Sequence, residues 1–217
     1  LGDVYKRQSD KWHKIKQRAK RKIDDIAVEL LRVQAKRELS NGYKFSLDNL
    51  AYDKFCSSFP YVETDDQLNT INDVISDMCS IKSMDRVVCG DVGFGKTEVI
   101  LRASFIAANN DKQVVIIVPT TVLAKQHFET FKRRFAKYSH NIGIVTRATS
   151  RPERLSIINK LYNNQIHILI GTHALLNKDF KCADLGLLII DEEHKFGVKH
   201  KESINCLLYT SDAADEE

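Results

Sequence analysis

Gly90-Asp91-Val92-Gly93-Phe94-Gly95-Lys96-Thr97 decides how the rest of this 217-residue chain is read. The octapeptide fits G-x-x-x-x-G-K-[ST], and it stands where that pattern has a mechanism. A β-rich run, Arg86 to Cys89, precedes it, and a helical pattern, Lys96 to Ala108, follows. Glycine lets the main chain wrap an anion closely, so that several N–H groups and the positive end of the helix converge on phosphate oxygens. Lys96 then neutralises the β- and γ-phosphates, and the Thr97 hydroxyl helps to hold magnesium. The bland alternative is a glycine-rich turn capping a helix; the flanking strand and helix weigh against it.

A phosphate loop alone does not hydrolyse a nucleotide, because a second group must reach the metal and another must activate water. Downstream, Leu187-Leu188-Ile189-Ile190 runs directly into Asp191-Glu192-Glu193-His194. A carboxylate at the end of a buried strand can reach Mg²⁺ across the sheet edge, the role expected of Asp191. Glu192, one residue on, is the candidate base or orienter for the attacking water. An acidic turn after a strand is the competing explanation.

Between these two sites short β-rich runs alternate with amphipathic helices, the pattern of a parallel sheet covered on both faces. Besides Arg86 to Cys89, strands are expected at Val114 to Val118, Ile142 to Thr146, Ile166 to Ile170 and Leu187 to Ile190. Helices are expected at Lys96 to Ala108, Val122 to Lys137 and Arg151 to Tyr162, the last opened by Ser150-x-x-Glu153, a capping box. Thr64-x-x-Gln67 is a second such box before an apolar helix. Upstream, Trp12, Ile15, Ala19, Ile23, Ile26, Leu30 and Val33 recur every three or four positions from Ser9 to Asn41-Gly42. That spacing predicts one long amphipathic helix, whose lysines and arginines suit a solvated face or a partner. Residues 43–60 read as a link, and residues 61–205 as an incomplete nucleotide-binding lobe. Residues 1–8 and 206–217 fit no neighbouring periodicity and read as non-native tails.

Bulk composition permits all of this: 43% hydrophobic and 29% charged residues suit one globular domain with an appendage. The net charge of +4 allows nucleic-acid binding without demanding it. No apolar run approaches the roughly 20 residues that cross a bilayer, and no signal-peptide layout is visible, so the expected location is cytoplasmic, with no membrane partner. Five cysteines without a C-x-x-C pair speak against zinc and against a disulfide scaffold.

D-E-x-H after G-x-x-x-x-G-K-T resembles motifs I and II of superfamily 2 helicases and translocases. The longer strings VCGDVGFGKTEV (88–99), VPTTVLAKQH (118–127), ILIGTHALL (168–176) and DEEHKFGVKHKE (191–202), with Phe59-Pro60 and Thr64-x-x-Gln67, resemble the bacterial transcription-repair coupling factor family. RecG-type fork-remodelling helicases are the nearest competitor; Phe94, Glu98-Val99 and Thr120-Thr121 favour the coupling factors. The upstream helix resembles the family's connector between its polymerase-interacting module and its motor.

That resemblance implies a RecA-like P-loop lobe in an ATP- and Mg²⁺-dependent enzyme that walks on double-stranded DNA, displaces stalled RNA polymerase and engages nucleotide excision repair proteins. It implies that Phe59 and Gln67 meet adenine, and that Gly90, Asp91, Gly93, Gly95, Lys96, Thr97 and Glu98 surround the phosphates. Thr120, Thr121, Gln126, Arg147, Gly171, Thr172 and His173 would face DNA. His194 would couple the nucleotide site to its neighbours. The family also inserts a later strand between the phosphate-loop strand and the Asp191 strand, and adds a second lobe with an arginine finger. Without these, poor independent stability and no translocation are expected. A non-catalytic module that binds polymerase or another partner, and a P-loop kinase or GTPase, remain the rival classes; neither accounts for DEEH together with the threonine-rich loops.

Overall fold

The computed structural model describes residues 42–90, 93–176 and 180–196, with Lys20, Val28 and Ala35 as isolated helical positions. The long helix expected over 9–42 otherwise lies outside the described residues, as do both expected tails. Five helices and four strands are described: α1 (Asn49–Cys56), α2 (Asp65–Met78), α3 (Lys96–Asn109), β1 (Gln113–Ile117), α4 (Thr121–Arg134), β2 (Ile142–Val145), α5 (Arg151–Tyr162), β3 (Ile168–Gly171) and β4 (Leu185–Ile190). Two 3₁₀ turns, His173–Leu176 and Glu193–Lys195, follow β3 and β4.

All described strand pairs are parallel, in the order β2-β3-β1-β4. Strand β1 is buried throughout, as an inner strand of a sheet covered on both faces must be. The period-two alternation divides its side chains between two cores. Val114, Ile116 and Val118 join Ile168 and Ile170 under α1 to α4, while Val115, Ile117 and Leu169 join Leu161, Leu175 and Phe180 on the other face. Helix α3 is buried around most of its circumference, which makes it the central packing element of the first core.

Local signals set most boundaries. Thr64 and Gln67 form the full reciprocal capping box at the start of α2, and the Ser150 hydroxyl caps α5 at Glu153 N–H. The residues expected to be only a link contribute to the core instead. Asp48 caps α1 through Ala51 N–H, and Phe55 on α1 stacks on Phe105 of α3 with ring centroids 4.3 Å apart. Eight residues with two buried side chains are too few for a periodicity to show.

One expected strand is absent. Arg86 to Cys89 has no regular secondary structure and belongs to no ladder, and Val87 is 78% exposed. A strand exists through hydrogen bonds to a neighbour, and β4, at the edge of the described sheet, pairs only with β1. The phosphate loop therefore approaches the sheet without a described strand beneath it.

Candidate functional site

The parallel sheet brings the carboxyl ends of its four strands to one edge, where ligands bind in folds of this architecture. Asp191 N–H bonds Ile117 O at 2.9 Å and Val118 N–H bonds Gly171 O at 2.9 Å, so the ladder continues to the point where β4 turns into Asp191. Glu192 follows in a left-handed conformation with φ of 56°, a sharp reversal that ends the strand and turns the next residues away.

Opposite stands the phosphate loop. Gly93 and Gly95 have φ of 90° and 78°, a region open to glycine at little cost. Gly95 is also closely covered: a Cβ there would lie 2.4 Å from Gln67 Nε2. Gln67 Nε2 donates to Phe94 O at 2.5 Å while Gln67 Oε1 accepts from Thr64 N–H at 3.0 Å. Gln67 therefore caps α2 and holds the loop at once. Lys96 Nζ donates to Gly90 O at 2.8 Å, folded onto its own loop. Asp91 and Val92 lie outside the described residues.

Gly93, Phe94, Gly95, Lys96, Thr97, Asp191 and Glu192 line one cleft of roughly 310 Å³, with Leu123, Gln126, His127 and Thr130 of α4 as a further wall. His127 Nε2 lies 2.9 Å from Asp191 Oδ2. That hydrogen bond holds the Asp191 carboxyl below the usual carboxylate range against the opposing effect of burial, and Lys96 adds a smaller pull in the same direction. A carboxylate held low in this way suits a position facing the Lys96 ammonium. The donors present are a hydroxyl and a carboxylate, which suit Mg²⁺, a hard cation that takes its remaining ligands from phosphates and water.

Not every expected site residue joins the cleft. Glu98 is 5% exposed and its Oε1 accepts from Arg102 Nε at 2.9 Å and from Arg134 Nη2 at 2.8 Å. Arg102 also pairs with Glu63. Burial pushes the Glu98 carboxyl above its ordinary range despite the two guanidiniums. The expected phosphate contact of Glu98 is therefore replaced by an internal role, because its helix turns it into the core. Phe59 is half-buried beside the same cluster, with Arg134 Cζ 5.7 Å from its ring centroid.

The expected DNA-facing residues do collect at the strand ends. Thr120 caps α4 through Leu123 N–H, Thr121 opens that helix, and Arg147 is exposed just beyond β2. Thr172 is 2% exposed, and Gly171 is packed so that a Cβ would meet Val145 O at 2.4 Å. Helix capping and close packing therefore account for Thr120 and Gly171 without a ligand. His173 starts the 3₁₀ turn after β3. Gln126 lines the cleft rather than standing with this set. His194 is exposed and lies 3.3 Å from Glu192 Oε2, as does Lys195 Nζ.

A family model described as DEAD/DEAH box helicase matches residues 64–212. The chain belongs to the DEAD/DEAH box helicase family. The match runs past Ile204, into the stretch expected to be foreign. Among curated relatives, the transcription-repair-coupling factor of Escherichia coli (strain K12) is 49% identical over 204 residues, covering 94% of this chain and 18% of that protein. The factor of Haemophilus influenzae is 51% identical over 204 residues, with the same two shares of 94% and 18%. That of Bacillus subtilis is 49% identical over 201 residues, 93% and 17% of the two chains. The chain thus spans less than a fifth of the length of these relatives. A solved structure of RecG bound to a three-way DNA junction is 34% identical with a TM-score of 0.70, covering 76% of this chain and 23% of that one. The UvsW helicase from bacteriophage T4 is 20% identical with a TM-score of 0.52, covering 79% and 59%, a likeness of fold.

For a helicase-family lobe, two groups of residues went unnoticed in the sequence. His127 ends the VPTTVLAKQH stretch, yet nothing local distinguishes a buried histidine on an amphipathic helix from one that meets a carboxylate 64 residues away. Arg102 and Arg134 could have been found only by asking why charged residues fall on the apolar faces of α3 and α4.

Proposed function

We propose that the chain is the ATP-binding lobe of a double-stranded DNA translocase of the coupling-factor type, which hydrolyses ATP with Mg²⁺, displaces stalled RNA polymerase and serves nucleotide excision repair. The single observation that carries the reading is the convergence of Lys96, Thr97, Asp191 and Glu192 on one cleft at the carboxyl edge of a parallel sheet. A location in the cytoplasm belongs to the same proposal; among the described residues no helix is long and apolar enough to cross a membrane.

Lys96, on leaving Gly90 O, would donate to the β- and γ-phosphates, and the N–H groups of the loop would hold the phosphate chain. Thr97 and Asp191 would hold Mg²⁺, whose charge offsets that on the transferring phosphoryl group. Glu192 would orient the attacking water and accept its proton. Gln67 and Phe59 would meet the base, and Thr121, Arg147 and His173 the DNA backbone, where phosphate contacts position a strand without reading its sequence. RecG-type fork remodelling is the second reading, favoured by the junction-bound RecG structure. The identity of 45–51% to coupling factors favours the first.

The test is to replace the matching segment of the Escherichia coli factor by residues 9–204 and to measure ATP turnover with and without duplex DNA, then polymerase displacement. Glu192→Gln should retain ATP and lose turnover. Unchanged turnover in that variant would refute the assignment of Glu192. A chimera that reverses forks but leaves polymerase in place would select the RecG-type reading.

A further inference from the structure

Leu123, Gln126, His127 and Thr130 follow the i, i+3, i+4, i+7 spacing of one helix face, and all four line the cleft. Helix α4 is therefore a wall of the nucleotide site along two turns. Its amino end, capped by Thr120, lies at the end of β1 on the sheet edge where the DNA backbone is proposed to bind. His127 is the one residue of this face with a described bond to the acidic side of the cleft.

The His127 side chain is 6% exposed, and its Nε2 is 2.9 Å from Asp191 Oδ2. With its proton on Nε2, the ring donates this bond to the carboxylate. Nδ1 is buried and has no hydrogen-bond partner among the described residues. Leaving a buried polar atom unmatched destabilises a fold, and a leucine would fill this place without that cost. Packing does not account for histidine here; the bond to Asp191 does.

We infer that His127 is a positioning residue that aims the Asp191 carboxylate at the metal opposite Lys96 and ties that aim to the orientation of α4. The inference rests on the proposed nucleotide site. A displacement of the amino end of α4 by a bound strand would then reach the metal ligand through one rigid helix and one hydrogen bond. Groups that orient a metal ligand in this way govern metal affinity as well as rate.

The test is binding of a fluorescent ATP analogue to the full chain, titrated with Mg²⁺. His127→Ala should raise the half-saturating Mg²⁺ concentration about tenfold. His127→Gln, which can return an N–H donor near the same place, should lie close to the wild type. The inference is overturned if the Mg²⁺ midpoint of His127→Ala does not move, or if His127→Gln is shifted as far as His127→Ala. Should the alanine variant fail to fold in a thermal scan, His127→Gln against Asp191→Asn decides: a normal midpoint for the first with a raised one for the second supports the inference, and raised midpoints in both overturn it. A wild-type chain with no Mg²⁺-dependent binding would instead remove the nucleotide site itself, and this inference with it.

Discussion

Truncating Glu98 to alanine is the perturbation whose cost the structure defines best. Its carboxylate is 5% exposed and accepts from two guanidiniums whose side chains are 5% and 8% exposed. With Glu63 on Arg102, the cluster balances two positive against two negative charges across α3, α4 and the segment before α2. Alanine leaves two buried cations with one anion between them. Removing one partner of a buried pair costs about 3–5 kcal/mol, chiefly because of the charge left behind. Glutamine keeps the acceptor and loses the charge. Since a hydrogen bond to a charged group contributes about 1 kcal/mol more than a neutral one, two bonds make glutamine roughly 2 kcal/mol worse than glutamate. For a chain of this size 1 kcal/mol moves Tm by about 2–4 °C, so alanine should lower it by roughly 6–20 °C. Urea unfolding of the full chain gives the free energies, and a double-mutant cycle with Arg134→Ala gives the coupling. The ordering alanine below glutamine below wild type, with coupling above about 1 kcal/mol, is expected. If both variants unfold within about 0.5 kcal/mol of wild type, the guanidiniums are solvated and the buried cluster is not what holds α3 to α4.

Three further outcomes follow from particular contacts. Gly171→Ala would drive a methyl group into Val145 O across the β2–β3 ladder, so a loss of about 1–3 kcal/mol is expected in urea unfolding; wild-type stability would leave only a ligand-binding reason for this glycine. Gln67→Ala should lose about 1 kcal/mol through the capping box and also weaken nucleotide binding through the Phe94 contact, whereas Gln67→Glu should restore the cap but not the binding, as a thermal scan and a nucleotide titration on the same samples would reveal. The Arg102 hydrogen bond holds the Glu63 carboxyl below its ordinary value, so its stabilisation is present above the unfolded carboxylate pKa of about 4.3 and is lost as pH falls through the lower folded value. The stability gap between wild type and Glu63→Gln should accordingly be full at neutral pH and close in acid; a gap that stays constant down the acid limb would contradict it.

Chemistry written in contiguous residues was legible before any fold was known. Glycines at 93 and 95 take positive-φ conformations that glycine adopts at little cost. Thr64 and Gln67 form their box because a cap is a bond between neighbours three positions apart. Helix α5 occupies the expected span, and the alternation of strands and helices implied a parallel sheet with Asp191 at its carboxyl edge. What the tertiary structure alone decided depends on partners far along the chain. Arg86 to Cys89 has the composition of a strand, but a strand needs a neighbour, and none is described beside it. Helix α1 is held by Phe55 stacking on Phe105, fifty residues on. Glu98 looks like part of the phosphate loop, yet the turn of α3 carries it to Arg134. His127 reads as one more core residue until β4 brings Asp191 to its Nε2. Local backbone preferences and short hydrogen bonds leave marks within a few residues; pairing across the sheet and burial of charge do not, because their energy depends on which surfaces the folded chain brings together.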